Sequence, residues 1–221
     1  MDVYRHPGRG RYRSPLRAAA GGEGASGGVS LLTASDSFDR ADGPIGTADS
    51  GHTWVESGVG SGWTVASNTA KPPSDAGWSW ATLDLGAADA DISVEMNGNG
   101  GGAPDLGIAA KVQDASNLIL FDVVFVTDHW ICRVFQRVAG SFNGLTALVD
   151  PVPGVTNTNA AVFTIRLVTN GAAGEAFIAG TSMGTWSALS DNGILAETAH
   201  GLGGTSVTFA TFDDFTMTEV A

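Results

Sequence analysis

The sequence predicts an all-β domain, and three observations carry that prediction. Of its 221 residues 31 are glycine and only 15% are charged, a composition that suits short strands and tight turns better than helices. From Ser35 onward the apolar residues recur with a period of two rather than 3.6, as half-buried strands require. Gly-containing turns punctuate those runs at NGNGGG (97–102), SFNG (141–144), TNGAAG (169–174) and GLGG (201–204). The length suits one sizeable sandwich core rather than two equal domains.

The first 34 residues stand apart. Arg, Gly, Pro and two Tyr are followed by AAAGGEGASGGVS, which cannot bury enough apolar surface to fold alone. Residues 1–34 therefore read as a docking arm and linker, and residues 35–221 as the domain. Tyr4, Arg5, Arg9, Arg11, Tyr12, Arg13 and Arg17 suit docking, because Arg and Tyr give large contact area and directed hydrogen bonds from few residues. Within the domain, Trp78 and Trp80 follow the KPPSDAG loop at i and i+2 of a strand. Ile92, Val94 and Met96 alternate with Ser93, Glu95 and Asn97 in the next. NLILFDVVFV (117–126), Thr127-Asp128 and HWICRVFQRV (129–138) read as a hairpin whose first strand is apolar enough to lie inside a sheet. Phe163, Ile165 and Leu167 mark another strand, and Val207, Phe209, Phe215 and Met217 give the closing strands their core face.

Charge narrows the partners. Five of the eleven basic residues lie in the arm, where Asp2 is the one acidic residue before position 21; the remainder carries six basic against twenty-two acidic side chains. An acidic body of that kind repels nucleic acid and anionic membranes. The single cysteine, Cys132, has no internal partner for a disulfide and reads as core filling beside Trp130 and Val134. The opening MDVYRHPGRGRYRSPLR has no apolar signal-peptide region, and no run approaches the roughly 18 apolar residues of a membrane span. Synthesis in the bacterial cytoplasm without a signal peptide is the expectation.

DSFDRADGPIGTADSG (36–51), the QDASN turn (113–117), HGL (200–202) and the closing FDDFTM (212–217) appear in an order that resembles concanavalin A-like, laminin-G-like jelly-roll domains of actinobacteriophage minor tail and other virion proteins. The resemblance covers Ser35 to Ala221. It implies two stacked antiparallel sheets with the first and last strands side by side, an aromatic where Leu118 stands, and a virion location. It also implies a non-enzymatic structural or adhesion role: the arm would hold other virion proteins, the domain would touch host surface glycans, and the chain would be a homo-oligomer in its assembly. A free carbohydrate-binding module is the second reading and a glycan-cleaving enzyme the third.

The paired ends raise a chemical question of their own. Strict alternation with Phe215 and Met217 turns Asp213 inward, where a carboxylate must be paired, metal-bound or released by a bulge. Arg40 is a natural partner, with Asp36, Asp39 and Asp214 nearby. A salt-bridge or hydrogen-bond cluster is one outcome, and a calcium site at Asp39, Asp213 and Asp214 is the other, since Ca²⁺ takes such oxygens. No other cofactor is expected.

Catalytic signals are sparse. TADSGHTW (47–54) matches the Asp-box pattern S/T-x-D-x-G-x-T-W of sialidases, but once only, and outside the arm the arginines are Arg40, Arg133, Arg137 and Arg166. A hairpin brace accounts for it: Asp49 and Ser50 bond backbone, Gly51 tolerates positive φ, and Trp54 packs on the turn. DISVEMN (91–97) puts Asp91 and Glu95 on one face without the E-x-D-x-x-E spacing of jelly-roll glucanases. His6, His52, His129 and His200 lack metal-ligand spacing, and no G-x-S-x-G occurs. The protein reads as a non-enzyme. Trp78, Trp80 and Trp130 are the candidate glycan platform, with core packing as the alternative for each; Trp54, Trp63 and Trp186 read as braces near turns.

Overall fold

The computed structural model describes residues 30–60, 62–74, 77–98, 105–190, 192–205 and 210–221. The docking residues from Tyr4 to Arg17, together with Val207, Phe209 and most of the NGNGGG turn, lie outside them. Sixteen strands occur among the described residues: β1 (Thr33–Asp36), β2 (Gly43–Pro44), β3 (Val55–Gly58), β4 (Thr64–Val65), β5 (Ala70–Lys71), β6 (Ser79–Asp84), β7 (Ala90–Asn97), β8 (Asp105–Asp114), β9 (Asn117–Val126), β10 (His129–Val138), β11 (Ser141–Gly144), β12 (Val162–Asn170), β13 (Ala173–Ile178), β14 (Thr181–Trp186), β15 (Ala199–Gly204) and β16 (Thr211–Glu219). One 3-10 turn, Ile194–Ala196, is the helical element among these residues.

They form two antiparallel sheets. The first runs β14-β13-β12-β7-β16-β5-β4-β2, with β1 also on β16, and the second runs β11-β10-β9-β8-β15-β6-β3. This is a concanavalin A-like jelly-roll sandwich. The period-two pattern selects the inner faces: Ile92, Val94 and Met96 of β7 pack with Ile165 and Leu167 of β12 against Ile119, Phe121 and Val123 of β9. The β9–β10 hairpin has the bounds its sequence suggests, with Thr127 at φ 50° in the turn, and β9 lies inside its sheet between β8 and β10.

The termini meet as the resemblance implies, from Thr33 opposite Thr218 to Asp36 opposite Phe215. The first strand begins two residues before the expected domain start: Glu219 donates its N–H to the Leu32 carbonyl, and Ala34 is buried. Strict alternation fails in β16. A bulge between Asp213 and Thr216, with Asp214 at φ 48°, turns both Phe212 and Phe215 inward and leaves Asp213 only half-buried. The bulge spares the core an unpaired carboxylate.

Two of the expected turns are strands. SFNG is β11, and GLGG lies within β15 in the interior of its sheet. The glycines there serve close approach rather than reversal. A Cβ on Gly203 would stand 2.6 Å from Cζ3 of Trp80, and one on Gly201 would stand 2.1 Å from the Ala81 carbonyl oxygen.

A buried polar cluster closes the sandwich between β8 and β15. Lys111, fully buried at φ 49°, donates through Nζ to Asp89 Oδ1 (2.7 Å) and to the carbonyls of Ala88 (2.6 Å) and Leu195 (3.2 Å). His200 Nδ1 accepts from the Lys111 N–H (3.1 Å), and Nε2 faces the Ala87 carbonyl (3.1 Å). Burial pushes His200 down to about 4, so the ring is neutral with its proton on Nε2. The HGL histidine is a structural pin.

Candidate functional site

The outer face of the second sheet carries an apolar layer of its own. Side chains on that face come in registered rows: Ser57, Trp80, Gly203, Gly107, Asp122 and Arg133 form one. Thr82, Gly201, Ala109, Leu120, Phe135 and Gly144 form the next. Glycine at 203 gives the Trp80 indole room against the sheet, where it packs on Ala109, Val112, Leu118 and Leu120. Trp78 stacks on Trp80 with centroids 5.2 Å apart and planes 9° apart. Phe142 of edge strand β11 leans toward Trp78 (6.3 Å) and meets Phe135 edge-to-face (5.5 Å).

These rings rim a cleft. A cavity of about 110 Å³ is lined by Trp78, Asp105, Leu120, Asp122, Phe135 and Phe142. A second of about 110 Å³ continues past Asp122 and Phe135 to Val124, Ile131, Arg133 and Leu148. Asp105 and Asp122 form a hydrogen-bonded carboxyl pair, with Thr205 also bonded to Asp105. Burial is the main cause that raises both carboxyls, and for Asp122, raised further, the hydrogen bond and charge of Asp105 add to it. Each residue is only half-buried, yet the Oδ1 of each is closed off from solvent without a hydrogen-bond partner. Two carboxyls in one site cannot both ionise at ordinary cost, which favours a proton held between them.

The neighbouring cations are committed elsewhere. Arg133, although opposite Asp122 in register, lies 4.6 Å from the Phe135 ring centroid and fills the space beside Gly144. Arg137 donates to the Gly140 and Ala115 carbonyls and lies 4.8 Å from the Phe142 ring centroid. Among the described residues, no ion pair reaches Asp105 or Asp122. Aromatic walls with a few convergent polar groups are what a small polar ligand with apolar faces needs.

The residues singled out in the sequence fare differently. Trp78 lines the cleft, while Trp80 is fully buried beneath it as support. Trp130 is fully buried between the sheets, edge-to-face with Phe125 and Phe163, its Nε1 donating to the Thr158 carbonyl (3.0 Å). It faces inward because it alternates with the outward-facing Ile131 and Arg133, and it cannot touch a glycan. Leu118, where an aromatic was expected, is buried against Trp80.

At the terminal strands, Arg40 pairs with Asp36 (2.6 and 3.1 Å) rather than with Asp213. Asp39 and Asp214 are near enough to raise Asp213, though burial is the larger cause. Asp213 Oδ1 accepts the Asp214 N–H (2.9 Å), and among the described residues no group of three or more acidic, His or Cys side chains is arranged to hold a metal ion. In TADSGHTW, Asp49 bonds across the chain to the N–H and hydroxyl of Ser37 (2.8 and 2.6 Å), not to its own turn. Gly51 takes φ 86°, and Trp54 packs on Phe38 and Phe215. Asp91, on the glucanase-like strand, forms a bidentate pair with Arg166 (2.6 and 2.6 Å).

No family model and no curated protein matches the chain. Solved structures do. The CBM2 module of the evolved Dit of Lactobacillus casei BL23 phage J-1 aligns with TM-score 0.50 at 11% identity, covering 86% of this chain and 97% of that one. A Bacillus subtilis protein of unknown function with a galectin-like fold aligns with TM-score 0.50 at 11% identity, covering 80% and 94%. The carbohydrate-binding module CBM66 of Bacillus subtilis reaches 0.43 at 15% identity, covering 76% and 88%. At such identities the likeness is one of fold.

Asp105, Asp122, Phe135 and Phe142 escaped the sequence reading. One signal was available: Asp122 interrupts the apolar run of NLILFDVVFV, where a carboxylate on an interior strand needs a reason.

Proposed function

We propose that this chain is a non-catalytic glycan-binding module of a phage virion. Its ligand would sit in the cleft on the outer face of the second sheet, and residues 1–34 would join it to the assembly. The cleft carries the reading: half-exposed aromatic rings at Trp78 and Phe142 stand over a polar floor, and a sugar offers an apolar face for the rings and hydroxyls for the carboxyls. The virion half rests on the order of the DSFDR, QDASN, HGL and FDDFTM pieces and on the basic arm. It gains support from a fold shared with the CBM2 module of a phage Dit. A non-catalytic role fits a carboxyl pair locked in a mutual hydrogen bond, which does not leave two separated carboxyls to flank a glycosidic bond.

A glycan array probed with the full chain tests the binding half. Retained ligands should be lost on Trp78→Ala, and an array without hits would overturn it. For the virion half, deleting residues 1–20 should leave a chain that still binds its glycans but no longer co-purifies with particles; undiminished incorporation would sink the docking role.

A further inference from the structure

We propose that the cleft selects a glycan bearing a free, protonated amine, such as a 2-amino-2-deoxy sugar, and seats the ammonium on the Asp105–Asp122 pair. The inference rests on the cleft being the glycan site and goes further by naming the ligand's charge.

Three observations lead there. The first is the composition of the cavity, two carboxyls with three aromatic rings, Trp78, Phe135 and Phe142. Both kinds of group attract a cation, the carboxylates by charge and the rings by their quadrupoles. The second is the unmet hydrogen bonding. Oδ1 of Asp105 and Oδ1 of Asp122 are closed off from solvent, and among the described residues the two carboxyls have chiefly each other and Thr205 as partners, which leaves acceptor capacity for a donating ligand. The third is that, among the described residues, the nearby cations form no ion pair with the two carboxyls. Arg133 lines only the adjoining cavity, against Phe135 and Gly144, and Arg137 is tied to two carbonyls. An anionic sugar would meet two carboxyls, and a neutral one would leave the shared proton in place. An ammonium supplies up to three donors in place of that proton and removes the repulsion that holds it.

A proton balance follows. Seating the ammonium on the ionised pair releases the shared proton, so affinity must fall on acidification. Among the described residues, the charged or titratable groups around the pair are Asp105 of β8, Asp122 of β9, and Arg133 and Cys132 of β10; Thr205 and Trp78 add only uncharged contacts. The Cys132 thiol, pushed to about 12 mainly by burial, stays neutral. The two carboxyls, both raised chiefly by burial, are then the groups whose titration sets that pH dependence.

Calorimetry with the full chain compares β-1,4-linked oligomers of glucosamine, N-acetylglucosamine and glucose of one length. At pH about 6.5 the glucosamine oligomer should bind at least about tenfold more tightly than the other two. Lowering the pH to about 4.5, where the amine keeps its charge, should weaken it by about tenfold. Asp122→Asn, which removes one charge of a repelling pair and keeps its shape, should fold and lose the preference. Glu95→Gln on the other sheet should keep it, which separates the site from general attraction to an acidic protein. Equal or better binding of a neutral oligomer, or an unchanged preference in Asp122→Asn, would overturn the amine assignment and leave glycan binding standing. Failure of all three oligomers together with an empty array would remove the glycan site itself.

Discussion

Two carboxylate-bearing corners of this sandwich are built on opposite terms. At the paired termini, Asp36 is fully engaged: it accepts from the Phe38 N–H (2.9 Å), from two nitrogens of Arg40 (2.6 and 3.1 Å) and from Trp54 Nε1 (2.7 Å). On the outer face of the second sheet, Asp105 and Asp122 have chiefly each other and Thr205, with an unpartnered oxygen apiece. A carboxylate whose lone pairs are met by the fold contributes to stability and has nothing left for a ligand. A carboxyl pair whose partners are chiefly each other holds its capacity in reserve.

The largest expected effect breaks the satisfied corner. Asp36→Ala strands the buried indole N–H of Trp54 and leaves the part-exposed Arg40 with the Ile45 carbonyl, so the cost should fall at the low end for breaking a buried pair, about 3 kcal/mol. Chemical denaturation should show that loss with glycan affinity of the folded fraction intact; a variant as stable as the parent would mean that Asp36 does not organise the corner.

Next in size is the support under the cleft. Gly203→Ala places a Cβ 2.6 Å from the Trp80 ring, and the ring, pinned beneath Trp78, has little room to yield. Overpacking of this kind costs about 1 to 3 kcal/mol. Unlike the Asp36 variant, it should also weaken glycan binding, because Trp78 rests on Trp80. Thermal unfolding and the array together separate the two.

The contrast shows which features were legible in the sequence. Period-two patterning specified the inner faces of β7 and β12, since one face of each packs on the other sheet, and the DSFDR and FDDFTM pieces placed β1 on β16. The glycines of β15 misled, because a residue type that permits a turn also permits an indole to lie against a strand. The cleft was mostly hidden for a further reason. Trp78, Asp105, Asp122, Phe135 and Phe142 come from five places in the chain and meet only through the registers of β6, β15, β8, β9, β10 and β11, which no local pattern states. Trp130 shares its residue type with Trp78, and only the register of β10 says that it faces inward.

Acidity acts with opposite signs on the Asp105–Asp122 pair and on Asp49. Asp105 and Asp122 have carboxyls raised above their unfolded value, so the folded state binds the extra proton, and stability falls as pH rises from the ordinary carboxylate range through the raised one. Asp49 is lowered, first by the Ser37 hydroxyl and then by the Ser37 N–H. Its contribution is present above the unfolded value and disappears as pH falls through the folded one. Asp122→Asn should therefore flatten the alkaline-side decline in a pH series of melting temperatures and leave the acid-side loss alone. An unaltered decline would show that the pair does not share a proton.

The smallest effect concerns TADSGHTW. Asp49→Ala removes two hydrogen bonds to Ser37 at an exposed site, where water can replace both, so the loss should be no more than about 1 kcal/mol. Trp54→Ala is far more disruptive, because its ring is buried between Phe38 and Phe215 and its Nε1 completes Asp36. A brace predicts that ordering, and it predicts that neither variant changes the glycan profile of the folded fraction, since the turn lies on the β1–β16 corner rather than on the outer face of the second sheet. A sialidase-like role for the same turn predicts the reverse, with Asp49→Ala nearly neutral for stability and decisive for release of sialic acid from a fluorogenic glycoside. The wild-type chain should release none, because Asp49 is spent on Ser37 and the nearest arginine, Arg40, is spent on Asp36; hydrolysis by pure protein that Asp49→Ala abolishes would move the chemistry from the cleft to this corner.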